Sequence, residues 1–342
     1  MNPRRITQSD IARKARVTQT TVSLALRGHA SVSVATRRRI LALAAKMGYR
    51  PDPVLASLVA YRRTTRQATF QGVLAWVTNY PTEDGWCNGQ QVGYFQGAEQ
   101  RAKELGYVLK TIWLRQPGVK PDRLRQILQT RGIQGLLLAP QPEPHMSVDL
   151  DWSQFSAVAF GYTLQRPQLH AVTNHQFRNM AHLIRRLHEF GYGRVGFAMP
   201  ASQDERVVNN YLGGYLVEQQ KLKRADRVPY LLEQQFSSEI FRRWLRRHAP
   251  QVVVTDLGTA ARVQAWLEEW GWKMPQRVGI ALPNVPFVGT SYAGIDEIPL
   301  LVGATAIDVV VGMIHRNERG VPAHPRYILI EGRWRDGASL TH

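Results

Sequence analysis

From Phe70 onward, short apolar runs alternate with longer amphipathic stretches, and this alternation constrains the chain more than any other feature. FQGVLAWVT, YVLKTIWL, IQGLLLAP and FSAVAFG read as strands buried on both faces. QGAEQRAKELG and PDRLRQILQTRG read as the helices between them. Runs without polar alternation, spaced by helices, are the pattern of parallel sheets covered on both sides. The cycle restarts with the helix FRNMAHLIRRLHEFG and the strand RVGFAMP. A helix near 206–221, the strand QVVVTD, the helix TAARVQAWLEEWG and the strand RVGIAL follow. Two series predict two lobes, with the late helix IPLLVGATAIDVVVGMIHRNERG and the strand RYILIEG crossing between them. The expected division of 67–342 is lobe 1 at 67–168 plus 299–323 and lobe 2 at 169–298 plus 324–338. In such α/β folds ligands sit beyond the carboxyl ends of the strands, here between the lobes.

The first 66 residues have a different character. They hold 14 of the 44 Lys and Arg residues and only two acids, Asp10 and Asp52. This fifth of the chain therefore carries +12 of the net +18. A compact basic module points to a polyanion. Three short helices are legible in residues 1–50. Thr7 and Asp10 form a capping pair before Ile11, Ala12 and Ala15. Thr18 caps a second helix, with Val17 and Val22 placed as a hydrophobic staple. Ser33 caps a third, whose Ile40, Leu43, Ala44 and Met47 share a face and which ends at Gly48. A tight link between the first two makes a helix-turn-helix. A fourth short helix is expected within 51–66, the hinge. Asp52 would cap it, Pro53 would open it, and Leu55, Leu58 and Val59 would lie on one face among Arg50, Arg62, Arg63 and Arg66.

The second helix begins TQTTVSLALR. Val22, Ala25 and Leu26 bury one face and leave Gln19, Thr20, Ser23, Leu24 and Arg27 on the others. Thr and Gln are indifferent helix formers. A helix entering the DNA major groove needs such groups in its first turn, where Gln pairs bidentately with adenine and hydroxyls reach phosphates or bases. The order of elements, the V-T-x-x-T-V-S core and the G-Y-x-P step into the hinge resemble, over about sixty residues, the headpiece of the lactose-repressor family of bacterial transcription regulators. The resemblance implies a periplasmic-binding-protein-like effector domain and a homodimer or larger assembly on near-palindromic double-stranded operator DNA. It implies DNA contacts from Thr7, Thr18, Gln19, Thr20, Thr21, Ser23, Leu24, Arg27 and Ser33, and from Arg50, Leu55 and Leu58 of the hinge. Leu58 matches the leucine that family members wedge into the minor groove. Leu24 stands where Arg is common, and offers only apolar contact.

The resemblance also implies a small-molecule effector, a sugar or a sugar derivative. Here this chain departs from the family's sugar contacts. Tyr211 replaces an Arg, with Arg206 one turn earlier, His175 replaces an Asp, and Asn284 replaces a strand-end Asp, whereas Asp256 is kept. Trp76, Asn79, Trp86 and Tyr162 are further candidates near strand ends. The G-x-G-x-x-G match at Gly191–Gly196 follows a helix and opens a strand, the reverse of a dinucleotide fingerprint, so Gly191 is read as a helix stop and no cofactor is expected. His170, His175, His182 and His188 lack metal-ligand spacing, and no nucleophile or phosphate-loop motif occurs. The one cysteine, Cys87, permits no internal disulfide. With no secretory h-region and no run approaching 18 apolar residues, a cytosolic protein without membrane contact is expected. A solute sensor without DNA readout, or an enzyme on a two-lobed fold, are the competing functions.

Overall fold

The computed structural model describes residues 6–26, 32–49, 70–87, 89–118, 126–128, 130–287, 289 and 291–341. The expected hinge helix, and half of the helix expected at 121–132, lie outside them. The headpiece consists of α1 (Gln8–Ala15), α2 (Gln19–Leu26) and α3 (Val34–Lys46). Thr7 and Asp10 cap each other reciprocally: the Thr7 N–H donates to Asp10 Oδ2 at 2.9 Å, and Asp10 N–H donates to Thr7 Oγ1 at 3.3 Å. Thr18 Oγ1 accepts from Thr21 N–H at 3.1 Å, and Ser33 Oγ from Thr36 N–H at 3.3 Å. Gly48, just past α3, has φ +69°, the left-handed conformation that suits glycine. Ile11, Ala12, Ala15, Val22, Ala25, Ile40 and Ala44 make a small core of their own. The Arg39 guanidinium ties α3 to the end of α1 through the Ala15 carbonyl at 3.1 Å.

The rest of the chain builds two six-stranded sheets. The first has the order β13-β7-β5-β3-β1-β2, all parallel. Its strands are β1 (Gly72–Thr78), β2 (Tyr107–Trp113), β3 (Ile133–Leu138), β5 (Ser156–Phe160), β7 (His170–Asn174) and β13 (Tyr327–Ile330). The second has the order β14-β12-β11-β10-β8-β9. It comprises β8 (Val195–Pro200), β9 (Leu231–Glu233), β10 (Val252–Val254), β11 (Gly279–Val285), β12 (Ala293–Asp296) and an antiparallel edge strand β14 (Arg333–Arg335). A two-stranded pair, β4 (Met146–Ser147) and β6 (Leu164–Arg166), flanks the first.

Alternation on β1 sends Leu74 and Trp76 to one face and Ala75 and Val77 to the other. The first face is covered by α4 (Gly89–Glu104) and α10 (Pro299–Arg316). These helices touch closely because Gly97 abuts the Leu300 carbonyl and Gly303 abuts the Tyr94 carbonyl. Helix α10 has the length and apolarity of a membrane span, mean hydropathy 1.4, which the sequence reading did not anticipate. Its Val302, Ala306, Ile307, Val310 and Met313 are buried in the core of lobe 1, which accounts for that composition. In lobe 2, α5 (Gln176–Glu189) and α7 (Asn210–Gln220) cover one face, and α8 (Ser238–His248) and α9 (Leu257–Glu269) the other. Between β8 and α7 lies the short α6 (Ala201–Glu205). The helix expected near 206–221 thus begins only at Asn210, and a short helix that was not expected precedes it; the two are separated at Val208 and Asn209, with φ +56° and +57°. The break holds because Asp204 Oδ1 accepts from the N–H groups of Tyr211 and Leu212.

The lobe boundaries differ from the expected ones. Residues 170–174 and 327–330 were assigned to lobe 2, yet β7 and β13 pair with each other at the edge of the first sheet. Both are exchanged because the chain crosses between lobes three times: after β7, between β12 and α10, and between β13 and β14. The crossovers are stitched together. His175 N–H donates to the Ile330 carbonyl at 2.8 Å, and Asn174 Nδ2 donates to the Glu297 carbonyl at 2.7 Å.

Candidate DNA interface and interlobe cleft

On α2 the staple residues and Ala25 face inward, which leaves Thr18, Gln19 and Thr20 exposed at its N-terminus. The hydroxyls of Thr18 and Thr21 lie 2.8 Å apart. Half of the helix's hydroxyl display is therefore committed to its own cap, and Gln19 and Thr20 are the first-turn side chains left to reach outward. Leu24 is not on the exposed side. It is half-buried against the headpiece core, because a short three-helix module needs every apolar side chain it has. Thr7, Thr18 and Ser33 stand exposed at three helix N-termini, whose N–H groups suit phosphate oxygens. Arg27, Arg50, Leu55 and Leu58 lie outside the described residues.

Between the lobes is a cleft of about 400 Å³. Of the eight expected ligand residues, Tyr162, Arg206, Tyr211 and Asn284 line it. The others are elsewhere. Trp76 is fully buried, packed against Trp86, Phe95 and Phe160 at ring distances of 5.5, 5.5 and 5.1 Å. Trp86 belongs to the same cluster. Asn79 bonds Gln141 at 3.2 Å and Arg115 at 3.1 Å. Asp256 caps α9, accepting from Thr259 N–H at 3.1 Å. The wall instead includes Gln90, Gln91 and Tyr94 from the start of α4, Thr173 and Gln176 at the first crossover, and Glu297 at the second. Gln90, Gln91 and Gln176 fall in the first turn of a helix that follows a strand, so the strand-end rule applied to helix starts would have found them.

The lobes are held across the cleft. Arg206, at the end of α6, donates to the carbonyls of Pro142 and Gln141, the latter at 2.9 Å. Gln90 Nε2 donates to the Val285 carbonyl. Among the described lining residues the cleft has one carboxyl, Glu297, and one cation, Arg206. Burial, and then the neighbouring Asp296 charge, push Glu297 up to about 8 against a hydrogen bond from Tyr211. Burial lifts Asp204 to about 6, against the N–H groups of Leu212 and Tyr211. Tyr94 and Tyr211 are raised well above the ordinary phenol value by burial, and next by Glu297. Among the described residues, no group of three His, Cys, Asp or Glu side chains could hold a metal.

Residues 7–52 match the sequence model of bacterial regulatory proteins of the lacI family. The N-terminal module is a lacI-family domain. The whole chain shares its fold with transcription regulators of that family. It aligns with the transcriptional regulator CelR in complex with cellobiose at 17% identity, covering 98% of this chain and 100% of that one, TM-score 0.56. The lac repressor dimer bound to operator and the anti-inducer ONPF aligns at 13% identity over 99% of this chain and 100% of that one, TM-score 0.55. A periplasmic binding protein/LacI transcriptional regulator from Alkaliphilus metalliredigens, complexed with D-xylulofuranose, aligns at 16% identity over 80% and 100%, TM-score 0.56. At these identities the likeness is one of fold: a helical headpiece followed by a two-lobed periplasmic-binding-protein-like domain. No curated protein matches the chain by sequence.

Proposed function

We propose that the chain is a sequence-specific DNA-binding transcriptional regulator, a cytoplasmic homodimer whose operator affinity is set by a small hydroxyl-rich molecule in the interlobe cleft. The observation that carries this reading is the union, in one chain, of a lacI-family headpiece presenting Gln19 and Thr20 with a cleft whose two walls belong to different lobes. A ligand that touches both walls favours one lobe arrangement over another, and that difference is what can be transmitted to DNA. Symmetric half-sites call for two headpieces, hence the dimer. In the hinge, Leu55 and Leu58 would enter the minor groove. Leu58→Ala is expected to weaken specific binding and to reduce DNA bending while leaving ligand affinity in DNA-free protein unchanged.

The test is to sequence the DNA fragments retained by the purified chain, then to measure operator affinity against a panel of sugars and related metabolites. A near-palindromic motif, with affinity shifted by at least one compound, is expected. Retention of fragments without any shared motif would sink the proposal.

A further inference from the structure

The polar lining of the cleft is unbalanced. Gln90 Oε1, Gln91 Oε1, Gln176 Oε1, Asn284 Oδ1 and Glu297 Oε1 are buried acceptors without a partner, and all five residues line the cleft. No lining residue has a buried donor in the same state among those described. Gln90 cannot be turned to exchange its ends, because its Nε2 donates to a carbonyl; Gln91 and Gln176 bond the hydroxyls of Tyr80 and Thr173 and can present either end. Gln176 and Glu297 are only 6% and 4% exposed. A buried acceptor left without a donor is destabilising, so the complement of this wall is a molecule rich in donors.

Charge narrows the class further. The one cation lining the cleft among the described residues, Arg206, is already committed to two carbonyls. Around Tyr211 lie three carboxyls, Asp204, Asp256 and Glu297, each with one oxygen lacking a partner. Asp204 and Asp256 use their other oxygen as helix caps. Asp296, next to Glu297, is paired with Arg333 at 3.1 Å. From lobe 1 the group nearest in charge terms is the Tyr94 phenol, which stays neutral. Glu297 thus faces the cleft with no cation supplied by the described protein. An isolated buried carboxylate is costly and an opposite charge offsets that cost.

We infer that the cleft receives a hydroxyl-rich amine, its protonated nitrogen seated against Glu297 and its hydroxyls donating to the acceptors of Gln90, Gln91 and Gln176. The inference rests on the proposed function only in taking the cleft as the effector site. Near neutral pH, binding ionises Glu297: its proton leaves to solvent, while the ligand keeps its own.

Two matched pairs of probes test this on the full chain: tris(hydroxymethyl)aminomethane against pentaerythritol, and D-glucosamine against D-glucose. Each pair differs chiefly by the charged nitrogen. Calorimetry at pH 7, in two buffers of different ionisation enthalpy, is expected to show at least one amine binding about 10- to 100-fold tighter than its neutral counterpart. The same titration should show proton release on binding. Glu297→Gln, close in shape to the protonated acid, should bring the pair to within about twofold, the difference being the charge-assisted contact. Gln90→Ala should weaken both members alike and so guards against a folding artefact at Glu297. Equal binding within both pairs, including none in either, overturns the inference, as does an amine preference that survives Glu297→Gln. A neutral sugar that binds as tightly as its amine counterpart and shifts operator affinity removes the amine but leaves the regulator standing. A chain that selects no DNA motif removes the regulator but leaves the cleft chemistry untouched.

Discussion

Arg206→Ala should loosen the closure of the two lobes by an amount that can be worked out from its contacts. The guanidinium extends from lobe 2 to two main-chain carbonyls of lobe 1, Gln141 and Pro142. The receiving segment is rigid: Gln141 is 1% exposed, and its own N–H donates to Thr163 Oγ1 at 2.7 Å. Each charge-assisted bond is worth about 1.5–3 kcal/mol when buried. Arg206 is half-buried and water can reach both carbonyls once it is gone, so about 1–3 kcal/mol for the pair is the reasonable range. That moves the closed-to-open ratio by roughly 5- to 150-fold. Fluorescence transfer between a dye on the exposed Cys87 of lobe 1 and one on Lys273→Cys of lobe 2 measures the ratio directly. The ligand-free Arg206→Ala protein should populate a longer interlobe distance than the parent, and cleft ligands should weaken by a similar factor. Arg206→Lys, which keeps the charge but not the fork, should fall between. If the distance distribution is unchanged in Arg206→Ala, the latch contributes nothing and the closure must be attributed to Gln90 and the crossovers.

Gln19→Ala is expected to cost about 1–3 kcal/mol on the preferred operator and to relax preference at one base pair per half-site; equal loss on random DNA in a competition assay would make Gln19 a phosphate contact. Gly97→Ala places a methyl group inside the Leu300 carbonyl of the facing helix, so urea unfolding should show a loss of about 1–3 kcal/mol or more; a loss under about 0.5 would mean that the helices separate freely. Glu297 at about 8 and Asp204 at about 6 both lie above their unfolded values, so the folded state binds the extra protons. The stability they supply is complete below pH 4 and is lost as pH rises to 6 and then 8, at most on the order of 8 kcal/mol for the two together. In ligand-free protein Glu297→Gln should flatten the upper part of that decline in thermal unfolding, and an unchanged slope would show Glu297 ionised in the fold.

The long elements were legible and the short ones were not, for a physical reason. Strands such as β1, β3 and β5 are buried on both faces and appear as continuous apolar runs. Strand β7 reads HAVTN and β14 reads RWR. Their burial comes from neighbours far away in sequence, so no local pattern announces them. The boundary at β7 was misplaced for that reason; RYILIEG was legible as a strand, but the sheet it joins is decided by its pairing with β7, which no local pattern shows. Helix α8 was missed because arginine dominates SEIFRRWLRRH, although Phe241, Trp244 and Leu245 mark a buried face at helical spacing. The same limit explains the cleft. A strand buried on both sides does not say which way Trp76 points, and it points into the core. Asp256 sits at a strand end as expected, yet its carboxyl closes a helix N-terminus. Glu297 became visible as a cleft residue only once the topology made the link between β12 and α10 a crossover.

That placement matters for how a ligand could act at a distance. Glu297 lies in one crossover, and its carbonyl accepts from Asn174 in another. The Asn174 side chain also accepts from the Tyr94 hydroxyl at 2.8 Å, and Tyr94 lines the cleft. His175 N–H and Gly332 N–H bring the third crossover into the same network, through the Ile330 carbonyl and Asn179 Oδ1. The groups that would hold a ligand are therefore hydrogen-bonded to the segments about which the lobes turn. A contact at Glu297 bears on the hinge itself as well as on the walls. In sequence the headpiece precedes β1 and thus joins lobe 1 alone. A change of interlobe angle could reach DNA only by altering how two such lobes are spaced in a dimer. The size of that effect is bounded by the ligand's difference in affinity between the two lobe arrangements, and the latch energy of Arg206 is part of that difference.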